Sequence, residues 1–138
     1  MGRVVRRSHA AWDMTKLMSK TVLHADDSAS VRRWVAEQLG DLDLNVISVA
    51  DGEAALKILQ ERPCDLLLTD LEMPNLDGLA LVSKVRDLPM HRFLPVLILS
   101  CRQPTEFQPE NRQGVTGWLI KPIEPDQLRR WVRRVLPR

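Results

Sequence analysis

Leu66-Leu67-Leu68-Thr69-Asp70-Leu71-Glu72-Met73-Pro74 is the stretch that decides the fold. Three leucines and a threonine run into a carboxylate, and a proline closes the turn beyond it. A short apolar run without alternation reads as a strand buried on both faces, the pattern of a parallel sheet. Asp70 then stands at the carboxyl end of that strand, the edge where open α/β sheets carry their chemistry.

Similar runs lie on either side. Residues 21–25 lead into Asp26-Asp27, and residues 46–50 form a second strand. Residues 65–69 are the run that ends at Asp70. Residues 95–100 are apolar up to Ser100, and residues 117–120 end at Lys121-Pro122. Between them, apolar residues recur at helical spacing: Val31, Val35 and Leu39 with Trp34 beside them; Ala54, Ala55, Ile58 and Leu59; Leu81, Val82 and Val85; Leu128, Trp131, Val132, Val135 and Leu136. Asp51 and Asp77 read as N-caps, Pro125 as a first-turn proline, and Arg62-Pro63 and Pro89 as stops. Pro104 and Pro109 make residues 102–113 poor helix material, and one short or distorted helix is expected there. Five strands alternating with five helical segments imply right-handed crossovers and a five-stranded parallel sheet with helices on both faces.

A chain of 138 residues fits one domain. Aromatic residues make up 4% of it and tyrosine is absent, so the core must be aliphatic. Cys64 and Cys101 show neither metal spacing nor a disulfide framework, and no stretch has the length of a membrane span or the apolar core of a signal peptide. A cytoplasmic protein is expected. Residues 1–19 lack a period and read as a disordered or added N-terminal arm, with Met18 as a more natural beginning and the folded domain over 20–138. The net charge of +2 conceals two basic groups: Arg3, Arg6, Arg7, Lys16 and Lys20 near the start, and Arg129, Arg130, Arg133, Arg134 and Arg138 at the end. The second lies on the polar side of the last helix and reads as a solvated face, with docking or dimer formation as its alternative use and nucleic-acid binding disfavoured.

In a parallel sheet the acidic pair, Asp70, Ser100 and Lys121 all lie on one edge. Two carboxylates about 4 Å apart repel by roughly 4 kcal/mol at an effective dielectric near 20. Such a cluster must raise a pKa or bind a cation. Oxygen donors without histidine or cysteine favour Mg²⁺ over Zn²⁺. Asp70 then suits a nucleophile that forms an acyl phosphate, with Lys121 and the Ser100 hydroxyl on phosphoryl oxygens. Taken singly, these residues have blander readings. Asp26 or Asp27 alone is a helix cap, Lys121 a solvated lysine, and Asp65 a turn residue. His24, on a strand that should be buried, reads as a core histidine with a satisfied hydrogen bond rather than a metal ligand, since no second histidine or cysteine is placed to help it.

Asp26-Asp27, Asp70 followed by Met73-Pro74 and Asp77-Gly78, then Ser100, then Lys121-Pro122, in that order and at strand ends, resemble the receiver domains of two-component response regulators, in particular the stand-alone chemotaxis type. The match spans about residues 20–136. The resemblance implies a flavodoxin-like sheet of order 2-1-3-4-5. It implies that Asp70 accepts phosphate from a histidine kinase or phosphotransfer protein. Mg²⁺ would be held by Asp26, Asp27 and Asp70 with the backbone carbonyl of Glu72. Ser100 and Lys121 would contact the phosphoryl group, and the Lys121-Pro122 bond would be cis. Trp118 holds the position of the aromatic switch residue, with simple packing as its alternative. A downstream protein target is implied, and no enzymatic activity beyond slow self-dephosphorylation.

The chain departs from that pattern at His24-Ala25, where aliphatic residues usually precede the acidic pair. It departs again at Arg102, which is positioned to pair with Glu72 over the site mouth, and in the proline-containing segment 102–113. A degenerate receiver acting as a phosphorylation-independent interaction module is the alternative reading. A phosphohydrolase with Glu72 as its second acid ranks below it, because the rest of its acid–base apparatus is absent. A flavin or dinucleotide binder ranks lower still, since no glycine-rich loop follows the first strand.

Overall fold

The computed structural model describes residues 19–136. The expectation for residues 1–18 and the place of Arg138 lie outside them. Five strands form one parallel sheet: β1 (Thr21–Ala25), β2 (Asn45–Val49), β3 (Leu66–Asp70), β4 (Val96–Ser100) and β5 (Gly117–Ile120). Their spatial order is β2-β1-β3-β4-β5, the expected 2-1-3-4-5. β1, β3 and β4 are buried along their whole length, as their unbroken apolar runs require, whereas β2 and β5 at the sheet edges are partly exposed.

Among the described residues the α-helices are α1 (Ala29–Gly40), α2 (Gly52–Glu61), α3 (Gly78–Arg86) and α4 (Pro125–Val135). They cover both faces. Val35, Leu39, Leu128 and Val132 bring α1 and α4 onto Val22, Leu66, Leu68, Leu97 and Leu99. Ala55, Leu59, Leu81, Val82 and Val85 bring α2 and α3 onto Leu23, Leu67 and Ile98. Leucine dominates both layers, and each fully buried one contributes on the order of 1.5–3 kcal/mol. The caps are side chains at the expected places: Asp51 accepts from Ala54 N and Asp77 from Ala80 N, each at 2.8 Å. α1 is capped by Ser28, which accepts from Val31 N at 3.3 Å, and this leaves the Asp27 side chain free of that duty.

Three expectations need correction. Residues 102–113 form two 3₁₀ turns, Pro104–Glu106 and Pro109–Arg112, rather than one helix, because each proline opens a turn and neither turn buries a side chain. β2 begins and ends one residue earlier than its hydrophobic run suggested, at Asn45, whose N–H bonds the Lys20 carbonyl at 2.9 Å. β3 and β4 each start one residue later. Asp65 stays outside β3 as the expected turn residue, its carboxylate accepting from Thr21 N at 2.8 Å. Pro95 has no N–H to give the ladder. Among the described residues no helix is long and apolar enough to cross a membrane.

Candidate functional site

The register of the sheet brings the polar strand ends together. Ala25 pairs with Thr69, Asp70 with Leu99, and Ser100 with Ile120, so Asp26, Asp70, Ser100 and Lys121 follow one another along one edge. Carboxylate oxygens of Asp26, Asp27 and Asp70 all lie within 4.8 Å of one another. Asp26 is 1% exposed and Asp70 9%, while Asp27 is open to solvent. Lys121 Nζ donates to Asp70 Oδ1 at 3.1 Å and sits 3.5 Å from Asp26 Oδ2. The backbone fixes the rest. Leu71 N donates to Asp70 Oδ1 at 3.0 Å, and Ser28 N to Asp26 Oδ1 at 2.9 Å. Gly78 opens α3 where only glycine fits, since a Cβ there would lie 2.5 Å from the Asp70 carbonyl oxygen.

The electrostatics follow from burial and crowding. Burial pushes the Asp70 carboxyl above the ordinary aspartate range. The hydrogen bond and charge of Lys121 offset part of that push, and the charge of Asp26 adds to it. Burial alone would lower the Lys121 ammonium, but its bond to Asp70 and the charges of both aspartates outweigh burial and hold it above the usual lysine value. A site with three carboxylates and one ammonium is therefore short of positive charge. A cation or a second donor is what the arrangement lacks.

Ser100 and Trp118 meet through the loop that leaves β4. Ser100 is buried, and its hydroxyl accepts from Arg102 N at 2.9 Å. The Trp118 indole N–H donates to the Arg102 carbonyl at 2.8 Å, and its ring tilts at 42° to Phe107 with centroids 5.7 Å apart. The Arg102 guanidinium reaches Glu72 at 3.5 Å and Glu106 at 3.1 Å and lies 4.6 Å over the Phe107 ring. One residue thus touches the loop after β3, the Ser100 hydroxyl and the Trp118 indole. The Lys121-Pro122 peptide is cis.

The family model for the response regulator receiver domain matches residues 22–133. The chain belongs to this family. The receiver is 31% identical over 123 residues to a probable transcriptional regulator of Porphyridium aerugineum, covering 88% of this chain but only half of that relative's length. It superposes on the chemotaxis response regulator CheY4 of Vibrio cholerae with a TM-score of 0.81, 36% identity, and coverage of 86% of this chain and all of that one. It also superposes on the receiver domain of the sensor histidine kinase PA1611 of Pseudomonas aeruginosa, which has a magnesium ion coordinated in its active site cleft. That match has a TM-score of 0.76, 26% identity, and coverage of 85% and 97%.

The receiver's acidic residues fit a hard divalent cation. All three donors are carboxylates, their oxygens are close enough to share one ion, and Asp26 Oδ2 is buried without a hydrogen bond. The Glu72 side chain reaches Arg102 at 3.5 Å. The pairing of Arg102 with Glu72 follows the sequence expectation. Its second partner, Glu106, did not enter that reading, although the i,i+4 spacing signals it. The bond from Trp118 to the Arg102 carbonyl leaves no trace in sequence, because any residue at 102 offers the same oxygen.

His24 corrects its expectation. The ring is fully buried, as a core histidine should be, but neither nitrogen has a hydrogen-bond partner. Nε2 points toward Asp26 Oδ2 at 3.9 Å, too long for a hydrogen bond. Burial lowers the imidazole pKa from 6.5 to about 4, against the upward pull of Asp26 and with Lys121 and Arg32 pushing the same way as burial.

Proposed function

We propose that Asp70 is the phosphoacceptor of this receiver, taking its phosphoryl group from a phosphohistidine of a sensor histidine kinase or phosphotransfer protein in the cytoplasm. An Asp70 oxygen attacks phosphorus, an oxygen–phosphorus bond forms, and the phosphorus–nitrogen bond breaks. The imidazole leaves and picks up a proton from solvent. The product is an acyl phosphate. Asp26, Asp27, Asp70 and the Glu72 carbonyl would hold Mg²⁺, which would supply positive charge opposite the phosphoryl oxygens. Lys121 exchanges its hold on Asp70 for one on a phosphoryl oxygen, and the Ser100 hydroxyl donates to another. Because Ser100 Oγ currently accepts from Arg102 N, its engagement draws on the loop that also carries the Trp118 bond. The new charge then biases a pre-existing pair of arrangements of that loop and of β5, which changes the surface offered to a downstream protein.

The observation that carries this reading is the buried Asp70 carboxylate held at 3.1 Å by Lys121 beside two further carboxylates. The test is intact mass after incubation with Mg²⁺ and acetyl phosphate. Addition of one phosphoryl group to the wild type and none to Asp70→Asn supports it. Turnover of the donor without an adduct would point to a phosphohydrolase. Neither adduct nor turnover would leave the phosphorylation-independent module.

A further inference from the structure

Residues 22, 24 and 26 share one face as β1 runs into the site. Val22 belongs to the apolar layer under α1 and α4, and the next position on that face is His24 rather than another aliphatic residue. A buried polar ring without partners requires a physical reason. Asp26 Oδ2, 3.9 Å away, is the other buried side-chain atom at this edge that has no hydrogen bond. Oδ2 has Lys121 as its ion-pair partner at 3.5 Å, whereas the ring it faces has none.

The surroundings limit how the two can approach. Asp26 Oδ1 is tied to Ser28 N at 2.9 Å, and Arg32 Nη1 holds the Asp26 carbonyl at 2.7 Å. The carboxylate is a rigid plane held at Oδ1, so closing the gap takes a small tilt of that plane together with the His24 ring. An N–H···O bond has a length of 2.7–3.2 Å, so a shift of about 1 Å closes the gap. At rest Oδ2 instead lies within 3.5 Å of Lys121 Nζ, whose hydrogen bond goes to Asp70. If Lys121 follows a phosphoryl oxygen, or if a cation draws the carboxylate round, Oδ2 loses that neighbour and His24 is left facing it. Imidazole carries an N–H in each of its protonation states.

We propose that His24 is a positioning residue for Asp26, its ring N–H taking up Oδ2 when the carboxylate binds the cation. This rests on the reading of Asp26, Asp27 and Asp70 as the cation site. Carboxylates that ligate metals are themselves held by hydrogen bonds, and loss of such a partner weakens metal binding by about 10–100-fold.

The test is calorimetric Mg²⁺ titration of the full chain as wild type, His24→Leu and His24→Gln, joined to the imidazole ¹⁵N signals of His24 in the wild type. The expected result is an affinity loss of about tenfold for His24→Leu, recovery of most of it in His24→Gln, which keeps an N–H donor, and a shift of the Nε2 resonance to a hydrogen-bonded N–H on Mg²⁺ addition. A purely structural histidine predicts a more stable His24→Leu with unchanged Mg²⁺ affinity and unmoved ring signals, and that result would overturn the inference even if the leucine variant failed to fold, because the ring signals are read in the wild type. Wild-type protein that takes up no Mg²⁺, matched by Asp27→Asn, would remove the cation site itself and the role of His24 with it.

Discussion

The two ends of the sheet use the same residue types to opposite effect. At the amino ends of the strands the polar side chains are mostly answered, His91 Nδ1 being the one buried atom described there without a hydrogen bond. Asp65 accepts from Thr21 N, Arg62 donates to the Thr21 hydroxyl, and His91 Nε2 accepts from Cys64 N at 3.1 Å. Arg86 reaches the carbonyls of His91, Arg92 and Gly114. At the carboxyl ends two buried aspartates and a buried histidine crowd beside a partly exposed lysine, with Asp70 pushed up, His24 unbonded, and Asp26 hydrogen-bonded through Oδ1 and paired with Lys121 through Oδ2. One end is largely satisfied by the fold and the other is left crowded with carboxylates, so stability and the candidate site separate along the strand direction.

Substitutions at each end can break or sharpen that separation. The largest effect belongs to Asp70→Asn, which should abolish phosphoryl uptake in the mass assay while leaving the protein at least as stable as wild type at pH 7. The sign follows from a carboxyl whose folded pKa is raised. Its ionised form at neutral pH opposes folding, and the advantage of the asparagine should shrink as pH falls through the raised value. Urea melts across pH check this.

Next comes His24, in metal-free protein with chelator present. The unfolded ring takes a proton near 6.5 and the folded ring refuses it until about 4, so stability is lost as pH falls through that window. About 3 kcal/mol rides on the shift, since each pKa unit is worth 1.36 kcal/mol. His91 is also lowered by burial, so the contrast between wild type and His24→Leu isolates the ring at the site.

At the opposite end, Arg86→Met should lower stability by about 1–3 kcal/mol in denaturant titration, through carbonyls left without a donor, with no change in Asp70 phosphorylation. Equal damage to phosphorylation would show that the two ends are coupled. The smallest effect is that of Arg102→Ala. Its ion pairs are exposed, so the unfolding midpoint should stay within error of wild type. The Trp118 emission should shift as the loop that anchors its indole loosens.

How much of this was readable in advance depends on what held each element. β1, β3 and β4 announce themselves because unbroken apolar runs have one home, the middle of a parallel sheet, and their terminal residues then fall on one edge without further information. Asp51 and Asp77 are legible as caps because the local hydrogen bond is encoded within three residues. The segment after β4 was illegible in detail because prolines say where a helix cannot be, not what replaces it. The Trp118 bond depends on a backbone carbonyl brought near by tertiary packing. His24 was assigned to the right place and the wrong state. Sequence shows that a polar ring enters the core, while the absence of a partner is a fact of three dimensions.

The turns at Pro104–Glu106 and Pro109–Arg112 bury no side chain. Selection on the core therefore has little hold there, and loops of this kind tolerate substitution and insertion. Those turn residues can change without touching Asp70 or the strands beneath it, so copies of this chain that differ there would keep the same sheet edge while showing a different surface.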